Sequence, residues 1–436
     1  MTSWRSPSGV TGRRPSAPVP RSAAYRGLPP VRLDGGTARR AGFGRGPDFG
    51  DGGWRHVRRL LHHVFGAGSP LRHLDWILVT AVLALSVLGT LLVWAATGTN
   101  GFNSSDPYLT KQVLNVAIGL ALMAGVSMLD YRQLRLYAPV TLVVSMLGLL
   151  AVLTPLGTMV NGSKSWISLG GGFQIEPSEY AKLSLILVGA IILSDIKPCE
   201  IRPRPRVVAL AIAIAAVPLL LVAAEPDLGV AILMLTLLVS MVTLSGVRLR
   251  WLAGLFAVGT LGAFAVAKLH LLKAYQVSRL TAFLHPSQDQ MGTGYSAYQS
   301  KVAIGSGGLL GQGLFHGQLV AGNFVPEQHT DFIFAVAGEE IGFVGCMVII
   351  CLLAIVLLRA IIIAARADDQ FGMLVASAIA IWFAVQSFIN IGMTIGIMPV
   401  TGLPLPFVSY GGSAIFADMI AIGALQAVHR HRSVFA

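Results

Sequence analysis

The strongest constraint on the fold is a series of apolar segments, each long enough to cross a lipid bilayer. A membrane-spanning helix requires about 20 predominantly apolar residues. Ten such segments follow one another: 74–96, 112–129, 136–154, 178–194, 207–224, 228–245, 251–271, 332–358, 372–396 and 409–428. Only 12% of the residues are charged, whereas a soluble domain carries about 25%. The sequence therefore predicts an all-α integral membrane protein with ten transmembrane helices, and argues against an ordinary cytosolic enzyme.

Residues 1–73 differ in composition from the rest of the chain. They contain 13 Arg, no Lys and 3 Asp, and so supply +10 of the total net charge of +12. The segment is rich in Pro, Gly and Ser without apolar periodicity, which is typical of disorder. We expect a disordered basic cytoplasmic tail, able to touch anionic membrane lipids, before a membrane domain over residues 74–432. Nucleic-acid binding is a weaker alternative, since the body contains no nucleic-acid module.

The distribution of basic residues predicts the orientation in the membrane. With a cytoplasmic N-terminus, twelve basic residues fall on short inner segments: Arg132, Arg135, Lys197, Arg202, Arg204, Arg206, Arg248, Arg250, Arg359, Arg366, Arg430 and Arg432. The positive-inside rule favours this orientation, which places both termini in the cytoplasm. Residues 155–177 and 272–330 then lie outside. The longer segment, between helices seven and eight, has the length of a functional loop and contains amphipathic stretches that predict short interfacial helices.

Ionisable residues in or beside the predicted spans are candidates for function, because charge is costly in a bilayer. They are Glu179, Lys182, Glu225, Asp227, Asp331, Glu339, Glu340 and Asp418. Glu179 and Lys182 are three residues apart and share a helix face. Lys182 requires an acid or a substrate phosphate, and Asp331 lies at a similar predicted depth. The residues alone leave open a helix-capping role for Asp331 and a snorkelling role for Lys182.

Five motifs resemble the SEDS family, named for shape, elongation, division and sporulation. They are GSKSWISLGGGFQIEPSEYAKL (162–183), EPDLG (225–229), YQSKVAIGSGGLLGQGL (298–314), FVPEQHTDFIFAVAGEEIGFVG (324–345) and PVTGLPLPFVSYGGS (399–413). The family includes RodA and FtsW, and the last motif with its preceding residues resembles RodA more. Three positions depart from the usual family pattern: Glu225 replaces a common Gln, His285 precedes Pro286 where Asp is frequent, and Ala414 replaces a Ser.

The resemblance implies a ten-helix membrane enzyme that polymerises lipid II into peptidoglycan glycan strands. It also implies a class B penicillin-binding transpeptidase as partner, a location in the cell inner (plasma) membrane, and an active site on the extracytoplasmic face. Carried over by motif, Asp331 of HTDF is the essential acid and Lys182 of SEYAK is its salt-bridge partner. An α-linked donor that gives a β-1,4 product requires one inverting displacement, so a single base such as Asp331 suffices.

Further motif and outer-loop residues are expected to bind the substrate. They are Lys164, Trp166, Glu179, Arg279, Gln299, Ser300, Lys301, Glu327, His329, Ser409 and Tyr410. The leaving diphosphate requires positive charge, for which Lys164, Lys182, Arg279 and Lys301 are candidates. A divalent cation held by Asp331 or Glu327 is an alternative source, although no multi-ligand metal spacing appears. No other cofactor is expected.

Two other functions fit part of the sequence. Ten spans with buried charges and Pro/Gly-interrupted segments also suit a lipid II flippase or another transporter. A scaffold that recruits a transpeptidase is the second alternative. Transporters usually place polar groups in paired repeats at the midplane, whereas here they gather at the outer surface and in one asymmetric loop. A scaffold would not need Lys182 and Asp331 together, so the sequence favours chemistry at the membrane surface.

Overall fold

The computed structural model describes residues 74–98, 107–160, 163–170, 173–195, 203–225, 227–268, 274–284 and 293–435. The predicted tail over residues 1–73 and the His285–Pro286 corner lie outside the described residues.

The described residues form fourteen helices and one small sheet. The helices are α1 (Trp76–Thr97), α2 (Pro107–Met128), α3 (Tyr131–Leu153), α4 (Pro177–Leu193), α5 (Pro205–Ala224), α6 (Leu228–Leu244), α7 (Leu249–Lys268), α8 (Ala274–Leu284), α9 (Thr293–Ser306), α10 (Gln318–Ala321), α11 (Ile333–Glu340), α12 (Gly342–Ala365), α13 (Gln370–Ile395) and α14 (Gly412–Phe435). The strands are β1 (Gly157–Val160), β2 (Ser163–Gly170) and β3 (Phe173–Ile175).

The described helices confirm a protein that crosses the membrane several times. Seven of them, α1, α2, α3, α5, α12, α13 and α14, are long and apolar enough to span a bilayer. Two shorter apolar helices, Leu228–Leu244 and Leu249–Gly262, coincide with two more predicted spans. Helix α4, with 17 residues, coincides with the fourth. The exact number of spans and their orientation stay predictions.

The eighth predicted span, residues 332–358, is not one continuous helix. Helix α11 ends at Glu340 and α12 begins at Gly342, whose φ is +70°. The carbonyl oxygens of Glu339 and Glu340 accept hydrogen bonds from the amides of Gln312 and Gly313, at 2.9 and 3.0 Å. Amides of a glycine-rich loop, residues 307–313, thus donate to carbonyls that would accept from the helix's own amides if the helix were continuous. The helix breaks at this contact between the two backbones.

The glycine-rich loop can approach this break because two of its residues, Gly307 and Gly311, have no side chain. A Cβ atom on Gly307 would lie 1.9 Å from the carbonyl oxygen of Gly338, and one on Gly311 would lie 2.1 Å from that of Glu340. Glu339 holds the same region from the other side, because its carboxylate accepts from the amides of Leu319 and Val320 at 2.8 and 3.1 Å. The glycines therefore serve backbone packing, and Glu339 has a structural role.

The first predicted outer segment contains strands, which corrects the all-α prediction. Residues 157–160, 163–170 and 173–175 form an antiparallel sheet in the order β1–β2–β3, with Thr158 opposite Trp166 and Ile167 opposite Ile175. The sheet lies between the end of α3 and the start of α4. The second predicted outer segment contains the short helices α8, α9 and α10, as its amphipathic pattern predicted.

Helix α14 connects two opposite ends of the bundle. Near its start, the Ser413 hydroxyl accepts from the amide of Glu176 at 3.0 Å and donates to the carbonyl of Gln174 at 3.2 Å, next to the sheet. Towards its other end, the Gln426 side chain bonds both backbone groups of Asp75, at 2.9 and 3.1 Å. Asp75 also pairs with Arg359, at 2.7 Å to the guanidinium Nε. We call these the sheet end and the Asp75 end.

Candidate active site

Asp331 lies immediately before α11, at the sheet end, and its backbone is fixed from two sides. Its amide donates to the carbonyl oxygen of Glu327 at 3.2 Å. Its own carbonyl accepts from the side-chain amide of Asn390 on α13 at 2.8 Å, and the same nitrogen also donates to Leu403 at 2.7 Å. Asn390 therefore joins the Asp331 backbone to residues 399–405. The side chain of Asp331 is half-buried.

The cation that faces Asp331 is Arg279, on α8. Both side chains border Gly402: a Cβ atom placed there would lie 3.5 Å from Asp331 Oδ2 and 3.9 Å from Arg279 Nη1. The guanidinium is anchored by a 3.1 Å hydrogen bond to the carbonyl of Thr401. Gly402 has a φ of +82°, which favours glycine. The absence of a side chain keeps the space between the carboxylate and the guanidinium open.

The surroundings of Asp331 bring its pKa to about 7, from an ordinary value of 3.8. Burial contributes most, since it disfavours the charged form, and the nearby Glu327 carboxylate adds to the rise. Arg279 opposes both, and Asp227 raises the pKa further. A general base works best when its pKa lies near the working pH. The Asp331 carboxylate meets that requirement at neutral pH.

Lys182 does not form the predicted ion pair with Asp331. Its side chain is fully buried, and its Nζ lies 2.7 Å from Glu179 Oε2 and 3.2 Å from Gln386 Oε1. The Trp382 ring centroid is 4.7 Å away. The predicted shared face of Glu179 and Lys182 is confirmed. An acid one turn away on the same helix is always within reach, so it neutralises Lys182 without help from α11. We call Glu179, Lys182, Trp382 and Gln386 the Lys182 cluster.

Sequence reasoning missed the polar face of α13. Trp382, Gln386, Asn390 and Thr394 recur every four residues in an otherwise apolar span, and all are buried. Gln386 accepts from Trp382 Nε1 at 2.7 Å and donates to the carbonyl of Pro404 at 2.9 Å. This face therefore supplies two members of the Lys182 cluster, Trp382 and Gln386, and the residue that supports the Asp331 backbone, Asn390. The four-residue spacing was the signal that could have revealed it.

Asp227 interacts electrostatically with charged groups of both the Lys182 cluster and the Asp331 site. It caps α6 by accepting from the amide of Val230 at 3.1 Å. Its pKa is raised, by burial first and also by Glu179, while Arg279 and Lys182 lower it. Burial, followed by Glu179 and Asp227, likewise raises the pKa of Glu176 well above its usual value. The sheet end thus concentrates carboxylates around two cations.

His329 and Tyr410 lie next to Asp331 in an aromatic group. The His329 ring centroid is 5.1 Å from that of Tyr108 and 5.6 Å from that of Tyr410, and the two tyrosines are 5.5 Å apart. The amide of Tyr410 donates to the carbonyl of His329 at 3.0 Å. The predicted SYGGS and HTDF motifs are therefore brought together. Tyr108, on α2, was not among the predicted residues.

Two other predicted residues lie near Asp331 or line the groove beside Arg279, and a third, Gln299, lies on the helix that carries one of them. Lys301 on α9 is exposed and lines the same groove as Arg279, with its Nζ 3.2 Å from a Cβ position at Gly396. Gln299 is half-buried on the same helix. Glu327 is exposed, and its carboxylate accepts from the Thr330 hydroxyl at 3.1 Å. The groove therefore offers two cations, Arg279 and Lys301, close to the proposed base.

The remaining predicted residues have structural contacts. Ser409 accepts from the amide of Leu405 at 2.8 Å, and Ser300 is fully buried and donates to the carbonyl of Thr394 at 2.9 Å. Lys164 donates to the carbonyl of Thr154 at 2.6 Å, which ties β2 to the end of α3. Trp166 is half-buried on β2. Each of the two hydroxyls and the Lys164 ammonium thus makes one hydrogen bond within the protein.

The described residues contain no group of three or more His, Cys, Asp or Glu side chains placed to hold a metal ion. A divalent cation shared with substrate phosphates stays a prediction.

The chain is similar to known proteins over most of its length. The model of the FTSW/RODA/SPOVE cell cycle protein family matches residues 72–434. The peptidoglycan glycosyltransferase MrdB of Escherichia coli K12 is 36% identical over 370 residues, which cover 83% of this chain and 95% of MrdB.

Solved structures share the fold. A chain of a peptidoglycan synthase complex, described for its structural coordination of polymerization and crosslinking, matches with a TM-score of 0.68 and 32% identity, over 82% of this chain and 98% of that chain. The rod shape determining protein RodA of Thermus thermophilus matches with a TM-score of 0.60 and 31% identity, over 82% and 97% of the two chains. Both the sequence and the fold therefore place this chain in the FTSW/RODA/SPOVE family of cell cycle proteins.

Proposed function

We propose that this protein is a peptidoglycan glycosyltransferase that polymerises lipid II into glycan strands during cell-wall elongation. The activity is supported by relatives such as MrdB, which carries that name and covers almost the whole membrane domain. The elongation role is supported by the similarity to a rod shape determining protein. The single observation that carries the mechanism is the half-buried Asp331, with a pKa of about 7, facing Arg279 across Gly402.

In the proposed reaction, a sugar hydroxyl attacks the anomeric carbon of a second lipid-linked sugar. Asp331 accepts the hydroxyl proton while the new C–O bond forms. The bond to the polyprenyl diphosphate breaks, and the electron pair leaves with the diphosphate oxygen. One displacement inverts the α-linked donor to a β-1,4 product. A positioned base contributes about 10²–10⁴ in rate, and a diphosphate leaving group requires no second carboxylic acid.

Arg279 and Lys301 are the proposed ligands of the leaving diphosphate. They line one groove beside Asp331, and Arg in particular forms paired hydrogen bonds to phosphate oxygens. Lys182 is already neutralised by Glu179 and held by Gln386. We assign it to the positioning of residues 401–405, since Gln386 bonds the carbonyl of Pro404.

The membrane arrangement of this activity is also part of the proposal. A cytoplasmic N-terminus would place the sheet end and Asp331 on the extracytoplasmic face. The neighbouring synthase complex couples polymerization with crosslinking, which supports a class B penicillin-binding transpeptidase as the partner of this chain.

Polymerisation of fluorescent lipid II by the purified protein with its transpeptidase tests the proposal. Penicillin silences crosslinking, and gels size the glycan. Asp331→Asn should reduce product at least a hundredfold, whereas Asp368→Asn, an exposed acid in the turn between α12 and α13, should leave it unchanged. Equal product from wild type and Asp331→Asn would remove Asp331 as the base. No product from folded, partner-bound wild type would favour a flippase or a scaffold.

A further inference from the structure

A cleft of about 590 Å³ opens at the Asp75 end, where α3 begins. The aromatic ring of Tyr131, the first residue of α3, stacks on that of His431 near the end of α14, with centroids 4.6 Å apart and planes 15° apart. The Asp331 region lies beside the opposite end of α14, at Tyr410. The helix rises 1.5 Å per residue, so the 20 residues from Gly412 to His431 span about 30 Å. The cleft is therefore separate from the candidate active site.

Two arginines without acidic partners line this cleft. Arg132 and Arg135 are three residues apart on α3, so they lie on one helix face, and both are exposed. Neither forms an ion pair with an acid among the described residues. The Asp369 carboxylate beside Tyr131 accepts from the hydroxyl of Tyr131 and from the amide of Gly372, and the Arg135 guanidinium lies 5.9 Å from the centroid of the Phe371 ring. The cleft thus presents two positive charges without an ion-pair partner among the described residues.

The rest of the cleft lining is largely apolar and continues along α3 from the arginines. Leu136 and Pro139 of α3 and Ile191 of α4 contribute to it. Beyond Leu136, the side chains of Val140, Val143 and Leu147 are each more than half exposed. Their spacing of four, three and four residues keeps them on one helix face. On a membrane-spanning helix, an exposed apolar face is in contact with lipid chains, so the arginines stand at the end of a lipid-facing stripe.

We infer that this cleft binds one anionic phospholipid, with its phosphodiester on Arg132 and Arg135 and an acyl chain along Leu136, Val140, Val143 and Leu147. Guanidinium groups bind phosphate oxygens in pairs, and basic pockets between transmembrane helices bind anionic headgroups. The continuity of unpaired cations with an apolar stripe matches the two parts of a phospholipid. An acidic soluble peptide or free phosphate would use the cations and leave the stripe uncovered.

The test measures how strongly the full-length protein prefers phosphatidylglycerol over phosphatidylcholine. Spin-labelled versions of both lipids are added to nanodiscs of phosphatidylcholine that hold the protein, and the motionally restricted fraction is recorded. Arg132→Gln with Arg135→Gln should weaken the preference about tenfold. Arg248→Gln with Arg250→Gln is the matched control, because both are exposed arginines where α7 begins. An equal loss in both variants, or no loss in either, overturns the inference.

A second comparison tests the apolar part of the site. Leu136→Ser should weaken retention of phosphatidylglycerol severalfold, whereas Leu261→Ser, at a similarly exposed position on α7, should not. Inorganic phosphate at millimolar concentration should fail to displace the lipid. If phosphate or an acidic peptide displaces it fully, or if Leu136→Ser has no effect, the site is not a phospholipid site. Lipid II polymerisation by each variant verifies that it is folded, and single arginine variants replace the double one if it is not.

Discussion

The Lys182 cluster and the Asp331 site contain ionisable groups at the same end of the bundle, yet they are built differently. Lys182 is fully buried, with its charge matched by Glu179 at 2.7 Å and its remaining contacts taken by Gln386 and Trp382. The Asp331 carboxylate is half-buried and accepts no hydrogen bond from the residues that the structure describes. Removing one partner of a matched buried pair is costly, which gives Lys182 a structural role, whereas a carboxylate beside a groove that accepts no such bond is available to a substrate.

The largest effect on stability should follow from breaking the Lys182 cluster. Lys182→Met leaves the Glu179 carboxylate buried without a counter-charge, which costs about 3–5 kcal/mol. Adding Glu179→Gln removes the uncompensated charge and should restore much of that loss. Thermal unfolding in detergent measures both variants. Lys301→Met, an exposed lysine on α9, is the control, and a Lys182→Met protein as stable as this control would contradict the structural role.

The next effect should come from Asn390, which supports Asp331 through its backbone. Asn390→Leu leaves the carbonyls of Asp331 and Leu403 without their 2.8 and 2.7 Å hydrogen bonds. Each buried group left unsatisfied costs about 1–3 kcal/mol, and the looser carboxylate should lower polymerisation about tenfold or more.

Ser300→Ala is the matched control for Asn390→Leu. It removes one buried hydrogen bond to the same helix, at Thr394, without touching the Asp331 backbone. We expect a loss of about 1 kcal/mol in stability and unchanged polymerisation. Equal activity losses in the two variants would mean that α13 acts on the site through general stability alone.

A smaller effect on stability but a clear one on activity should follow from Gly402→Ala. A residue with a side chain at positive φ costs about 1–2 kcal/mol, and the new methyl group enters the space between Asp331 and Arg279. Gly246→Ala carries the same backbone cost, at a φ of +76°, but nothing lies within 4 Å of the added Cβ. Only Gly402→Ala should lower polymerisation. Equal activity in the two variants would mean that the substrate does not occupy the space between Asp331 and Arg279.

The sequence predicted the parts of this comparison that depend on local spacing. Glu179 and Lys182 share a helix face because they are three residues apart, and the short helices in the long outer loop follow from its amphipathic pattern. The pairing of Lys182 with Asp331 was wrong, because it required knowing which helices touch. The helix break at Gly342 depends on backbone hydrogen bonds to a loop that is distant along the chain. The strands over residues 157–160, 163–170 and 173–175 come from a segment without a strong local pattern.

The polar face of α13 was open to prediction, since four polar or aromatic side chains recur at helical spacing within one apolar span. Their partners were not, because Pro404 and Leu403 lie in an irregular segment. The assignment of Arg279 to Asp331 also required the structure, which places α8 against residues 401–402.

The pH dependence of kcat/KM for lipid II polymerisation tests the central claim, that Asp331 is the base and Arg279 its facing cation. Only the carboxylate form accepts a proton, so activity should rise with pH, reach half its maximum near pH 7, and level off above. Arg279→Gln removes a charge that lowers this pKa and should move the midpoint upward by about one pH unit. Lys301→Gln should leave it in place. A pH midpoint that does not move in Arg279→Gln, or a kcat/KM that falls as pH rises through 7, would contradict the account.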